Sequence, residues 1–311
     1  MKVLIATEKP FAAAAVSGIR KIISDAGHQL VILEKYTSHK QLVDAVSDAD
    51  ALIVRSDRVS EDVITAATKL KIVVRAGAGY DNIDLSACSD KGIIAMNTPG
   101  QNANAVAELA LAMMIFISRN QFTPGTGFEI KGKSLGIQAY GNVGRLVAKK
   151  ALALGLKVMA FDPYVPQDKI LEDGVTPMES LEEMYSLCDF VSLHIPATPQ
   201  TVASIGYDLL TSMPAGGCLM NTARKEIINE AELVKALSDR PDLKYITDIV
   251  PDCYAELREK FGKRVFSTPK KMGAETAQAN INAGLAAARQ IVDYFATGNT
   301  EFQVNLMKSD K

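Results

Sequence analysis

The chain has 311 residues, 48% of them apolar and 23% charged, with a formal net charge of −2. That is the composition of an ordinary globular cytosolic protein, and it offers no basic surface for nucleic acid. No apolar run is long enough to cross a bilayer, and the opening MKVLIATEKP reads as a first strand, not as a signal peptide.

In chain order, the first third alternates β-rich runs with helical patterns. KVLIA, LVILEK, ALIVRS, KIVVRAG and IIAMN predict strands, and SGIRKIISDAG, SHKQLVDAVSDA and SEDVITAATK predict the helices between them. Such alternation specifies a parallel sheet covered on both faces. NANAVAELALAMMIFISRN follows as a long helix capped by Asn. Its apolar residues lie on most faces and call for burial between layers or at a subunit interface. QFTPGTGFEIKGK predicts a loop and a domain boundary. SLGIQAY, LKVMAFD, DFVSLHI, GGCLMNTA, LKYITDI and RVFSTP then predict the strands of a dinucleotide-binding sheet. The last helix, roughly Ala274 to Phe295, is long enough to return to the first domain, leaving no room for a further regulatory domain. Cys88, Cys188, Cys218 and Cys253 show no metal-ligand or CxxC spacing, so they read as free thiols in a reducing cytoplasm, with no metal site.

The strongest local signal is LGIQAYGNVGRLVAKKALALGLKVMAFDPY. A strand runs into Ala139-Tyr140-Gly141-Asn142-Val143-Gly144, a helix follows, and a second strand ends at Asp162. This is the dinucleotide fingerprint with Ala in place of the first glycine. Gly141 lets the backbone approach a pyrophosphate, Gly144 permits close helix–strand packing, and the helix start favours the anion. Asp162 falls where a carboxylate accepts ribose hydroxyls. NAD is the expected cofactor, because Pro163 and Tyr164 supply no cation for a 2′-phosphate.

Around the fingerprint, VVRAGAGYDNIDL, MNTPGQNANAVAELALAMM, VSLHIPATPQT and MNTARKEIINEAEL resemble the D-isomer-specific 2-hydroxyacid dehydrogenase family, in its order and over nearly the whole chain. RAGAGYDNID and IVRSDRV are most similar to the phosphoglycerate dehydrogenase branch, although IVRSDRV is one residue shorter than that branch's VRSxTKV segment. The resemblance implies an α/β fold of two doubly wound parallel-sheet domains. A Rossmann NAD-binding domain, residues 98–279, is inserted in a flavodoxin-like substrate domain, residues 1–97 and 280–311. It further implies an active site in the cleft between them, a cytoplasmic homodimer, and D-3-phosphoglycerate as the substrate, feeding serine biosynthesis. A hydroxypyruvate or glyoxylate reductase on the same scaffold, and a catalytically inactive NAD-sensing protein, are the alternatives.

Oxidising a 2-hydroxy acid requires a cation for the carboxylate and C2 oxygen, a base for the hydroxyl proton, and a nicotinamide facing C2. Arg224 follows a strand, where α/β ligand sites lie, and its planar fork suits a carboxylate. By resemblance it is the family's catalytic arginine. Ala76, Gly77 and Ala78 are expected to offer free backbone amides to the carboxylate. Arg55, Ser56 and Arg58, with Arg75 as a third cation, are expected to hold the phosphate, which an unphosphorylated acid would not need. The resemblance places Val106, Tyr140, His194, Ile195, Pro196, Thr201, Thr222, Ala223 and Asp248 beside the cofactor, with a structural role the simpler reading for His194.

The chain departs from the family in three places. The segment between Arg119 and Lys133 is shorter than in most relatives by on the order of a dozen residues. The family's acidic partner aligns with Cys253, with Asp252 the alternative. The catalytic histidine is absent after Thr268-Pro269, where the chain reads TPKKMGAET; His28, His39 and His194 do not align there. Anchoring on Gly273-Ala274-Glu275-Thr276 puts Lys271 at its place, with Lys270 the alternative. Free lysine, with a pKa of about 10.4, is a poor base at neutral pH. Partial burial and the charge of Arg224 are expected to tune it downward.

Overall fold

The computed structural model describes residues 1–306. It divides into two compact units, one of residues 1–102 and the stretch from 276 onward, the other of residues 103–275. In the first unit β1 (Lys2–Thr7), β2 (Gln29–Glu34), β3 (Ala51–Val54), β4 (Ile72–Arg75) and β5 (Ile94–Asn97) form a parallel sheet ordered β2-β1-β3-β4-β5. Val3, Ile5, Ile53 and Val74 pack with Ile19, Ile23, Ala287 and Ile291. Leu4, Leu52, Val54 and Val73 pack with Leu42, Val46 and Val63. Consecutive residues of one strand thus enter different cores, which is why parallel strands read as unbroken apolar runs. The helix Ala277–Thr297 starts where the Thr276 hydroxyl accepts the Ala279 amide, three residues past the Ala274 that the apolar pattern suggested.

In the second unit β6 (Ser134–Gln138), β7 (Lys157–Phe161), β8 (Thr176–Pro177), β9 (Phe190–Leu193), β10 (Cys218–Asn221), β11 (Lys244–Thr247) and β12 (Val265–Ser267) form a parallel sheet ordered β12-β11-β10-β9-β6-β7-β8. This is the dinucleotide-binding order with one strand added at the β12 edge. The helix Ala103–Ser118 is buried on most faces, as its composition required, and packs on the helix Asn142–Ala153. In both sheets the order reverses once, between β1 and β3 and between β6 and β9. Ligands of such sheets bind beyond the carboxyl ends of the strands, at these reversals. Among the described residues no helix is long and apolar enough to cross a membrane, and no group of three or more His, Cys, Asp or Glu could hold a metal ion.

Candidate active site

The fingerprint occupies the reversal between β6 and β9. The first bond of the helix Asn142–Ala153 runs from the Arg145 amide to Gly141 O, 3.0 Å, so the amides of Asn142, Val143 and Gly144 face out of the helix start. A Cβ on Gly141 would meet nothing within 4 Å, which leaves the backbone open to an approaching group. A Cβ on Gly144 would instead collide with Ala139 O and stand 3.1 Å from Ile137 Cγ2, so close helix–strand packing demands glycine there. Ala139, at the position of the missing first glycine, has φ 75°. A left-handed non-glycine residue costs roughly 1–2 kcal/mol, and glycine's extra freedom in the unfolded chain returns part of this. Ala139→Gly is therefore expected to raise stability by about 1 kcal/mol, seen as a Tm increase of about 2–4 °C by calorimetry; an unchanged or lower Tm would contradict it.

The Asp162 carboxylate fastens this turn. Its Oδ2 accepts the Tyr140 amide at 2.7 Å and its Oδ1 the Tyr164 amide at 2.9 Å. Each oxygen keeps a further lone pair for a ligand. Tyr140 itself turns inward: its ring is fully buried and its hydroxyl donates to Asp173, 3.0 Å. Beyond Asp162 lies an open pocket of about 490 Å³. Its only charged lining residues are Asp162 and Glu179, and the rest, such as Tyr164, Pro166, Ile170 and Met178, are aromatic, apolar or neutral polar.

After β9, the His194 imidazole lies 3.0 Å from the Ser192 hydroxyl, and burial pushes it down to about 4, so it is neutral at physiological pH. The Thr201 hydroxyl ties its own loop together through Pro196 O, 2.6 Å, and the Thr198 amide, 2.8 Å, while Ile195 packs on the adjoining core. After β10, Thr222 is 6% exposed and its hydroxyl has no partner among the described residues. The buried Asn221 shapes the next turn, accepting the Ala223 amide at 2.9 Å and donating to Arg224 O at 2.8 Å. Arg224 leaves this turn half-buried, and its Nη1 donates to Ala223 O at 2.9 Å. Asn221 was not legible as a site residue; its place directly before Thr-Ala-Arg was the available signal.

Lys270 and Lys271 are both exposed, so the expected partial burial of Lys271 is not observed. Beneath them, the fully buried Asp248 carboxylate receives the amides of Met272 and Gly273 and the hydroxyl of Thr268. Val106 packs on Gly273, its Cγ2 3.3 Å from where a Cβ would stand. Asp252 is exposed and paired with Lys225 at 2.6 Å. Burial and the neighbouring Glu230 push the Cys253 thiol up to about 12. Glu230, which the sequence reading did not single out, accepts the amides of Asp252 and Cys253 at 2.9 and 2.8 Å.

In the first unit the reversal gathers the loops after β1, β3 and β4. The Arg55 guanidinium is largely committed, donating to Lys9 O at 2.9 Å, Pro10 O at 3.1 Å and Asn280 Oδ1 at 2.6 Å. Ser56 and Arg58 are exposed, and Arg58 makes no hydrogen bond among the described residues. Buried Asp57 sets this segment, accepting the Glu8 amide and the Tyr36 hydroxyl. Arg75 Nε donates to Arg55 O at 3.0 Å, and a Cβ on Gly77 (φ 151°) would fall on the Arg75 guanidinium. The expectation of three free amides needs correction. Ala76 donates to Val54 O and Gly77 to Arg75 O, both at 2.8 Å, so only Ala78 keeps an uncommitted amide among the described residues.

Comparison with known proteins gives this geometry a family. Residues 9–305 match the D-isomer specific 2-hydroxyacid dehydrogenase, catalytic domain. D-3-phosphoglycerate dehydrogenase of Methanocaldococcus jannaschii is 34% identical over 290 residues, 87% of this chain and 54% of that protein. The human D-3-phosphoglycerate dehydrogenase is 35% identical over 289 residues, 88% of this chain and 54% of its own. The chain thus spans about half the length of the curated relatives it matches. A solved structure of NAD+-bound 3-phosphoglycerate dehydrogenase from Entamoeba histolytica superposes with a TM-score of 0.89 at 47% identity, covering 99% of each chain. D-lactate dehydrogenase from Escherichia coli, at 22% identity and a TM-score of 0.77, shares the fold. The chain belongs to the D-isomer-specific 2-hydroxyacid dehydrogenase family.

Proposed function

We propose that this chain is an NAD-dependent D-3-phosphoglycerate dehydrogenase, interconverting D-3-phosphoglycerate and 3-phosphohydroxypyruvate. The observation that carries this reading is the 47% identity with the amoebal 3-phosphoglycerate dehydrogenase over 99% of both chains. The residues fit the cofactor. Open space at Gly141, outward amides at the helix start and the orphaned Thr222 hydroxyl are features that a bound dinucleotide satisfies. NAD, when bound, supplies or accepts the hydride at C2. Arg224 holds the carboxylate and polarises the C2 oxygen, and Lys271 gives that oxygen its proton in reduction and removes it in oxidation. Arg58 and Arg75 hold the phosphate, with Arg55 mainly bracing the segment that carries Arg58. The reading extends to a cytoplasmic homodimer serving serine biosynthesis, as the family likeness implies.

Kinetics with NADH test it. With 3-phosphohydroxypyruvate, kcat/KM should exceed that with hydroxypyruvate by about tenfold or more, the worth of one charge-assisted phosphate contact. Equal values would favour a hydroxypyruvate reductase, and no turnover with either would favour the inactive NAD-binding reading. Arg58→Ala should raise KM for the phosphorylated acid by about tenfold and leave hydroxypyruvate nearly unchanged. Asp162→Ala removes the expected ribose acceptor and two amide bonds, so efficiency with NAD should fall about tenfold and the preference over NADP should narrow. An unchanged NAD/NADP ratio in that variant would sink the role given to Asp162.

A further inference from the structure

We infer that Asp248 is a positioning residue for proton transfer, clamping the exposed lysine-bearing loop from beneath and so fixing where Lys271 stands. The inference rests on Lys271 being the acid–base. Asp248 closes β11 with no exposed surface. Its Oδ1 accepts the Thr268 hydroxyl at 2.8 Å and the Met272 amide at 2.8 Å. Its Oδ2 accepts the Gly273 amide at 2.7 Å, with Met272 N at 3.0 Å. These donors flank the lysine pair on both sides. The Thr268 hydroxyl also lies 2.9 Å from Lys270 O, which draws the intervening backbone into the same cluster.

A carboxylate leaves water only when its lone pairs find donors. The donors to Asp248 named above all come from the single stretch Thr268–Gly273, so the bonds that keep the buried carboxylate also set the loop. Gly273 matches this use, because a Cβ there would stand 3.1 Å from Oδ2. Lys270 and Lys271, both exposed, are carried on the backbone stretch that these hydrogen bonds hold. Proton transfer is sensitive to displacements of about 1 Å. The resemblance puts Asp248 beside the cofactor; the hydrogen bonds add a task within the loop.

The test is a double-mutant comparison, with turnover on 3-phosphohydroxypyruvate and fluorescence titration of NADH as readouts. Asp248→Asn keeps the shape but turns an NH2 toward N–H donors. It should lower kcat at saturating NADH about tenfold or more, a loss read apart from any change in NADH affinity. In a Lys271→Ala background the same substitution should cost nothing further, because the residue acts through Lys271. Thr268→Val, which removes one arm of the clamp, should show the same pattern at about threefold, and it decides the matter if Asp248→Asn does not fold. Equal losses in both backgrounds, or lost NADH affinity with kcat intact, would overturn the inference while leaving Lys271 its role. Full turnover in Lys271→Ala itself would overturn both.

Discussion

Lys271→Ala is expected to cut turnover about 10²-fold or more while NADH binding stays nearly intact. Reduction at C2 leaves an alkoxide-like oxygen that must gain a proton, and oxidation must remove one. The family's histidine is absent from TPKKMGAET, and the chain's three histidines lie elsewhere. His194 is neutral and bonded to Ser192 after β9, and the structure puts the lysine pair at the end of β12, on a loop set by Asp248. The Cys253 thiol is held protonated near physiological pH, so it cannot take the part of the missing carboxylate. Lys270→Ala serves as the control. Full turnover in Lys271→Ala with loss in Lys270→Ala moves the role one residue back, and full turnover in both ends it.

Arg224→Ala should lower kcat/KM for the keto acid by about 10²–10³-fold, the range found when one preorganised donor to a reacting oxygen is removed. Arg224 is held half-buried at the end of β10 by a turn that Asn221 stitches on both sides. Arg224→Lys should recover little, because an ammonium cannot reproduce the two-pronged grip of a guanidinium on a carboxylate. NADH affinity should change little in either variant. Steady-state kinetics in parallel with NADH fluorescence separates the effects; a variant that loses NADH binding in proportion to turnover would contradict the assignment.

What could be read from the sequence follows the range of the signals. The unbroken apolar runs gave the parallel sheets because strands buried on both faces leave that mark. The fingerprint and Asp162 were legible because their spacing is set within one βαβ unit. β8 escaped because Thr176–Pro177 is too short to carry a period. The amides of Ala76 and Gly77 were misjudged for a longer-range reason: whether an amide is free depends on its acceptor, and Ala76 finds Val54 O on the adjacent strand. Arg55 likewise looked like a phosphate ligand until the fold brought Lys9, Pro10 and Asn280 around it. Asp248 was legible as a candidate site residue but its donors were not, because they arrive 20 to 25 residues later.

The product itself is the most direct test of the account. The purified chain would be mixed with 3-phosphohydroxypyruvate and NADH, and the product identified by phosphorus NMR and chiral analysis. The account predicts D-3-phosphoglycerate in amounts equal to the NADH consumed. The L-isomer, or NADH consumption without a phosphorylated hydroxy acid, would contradict it.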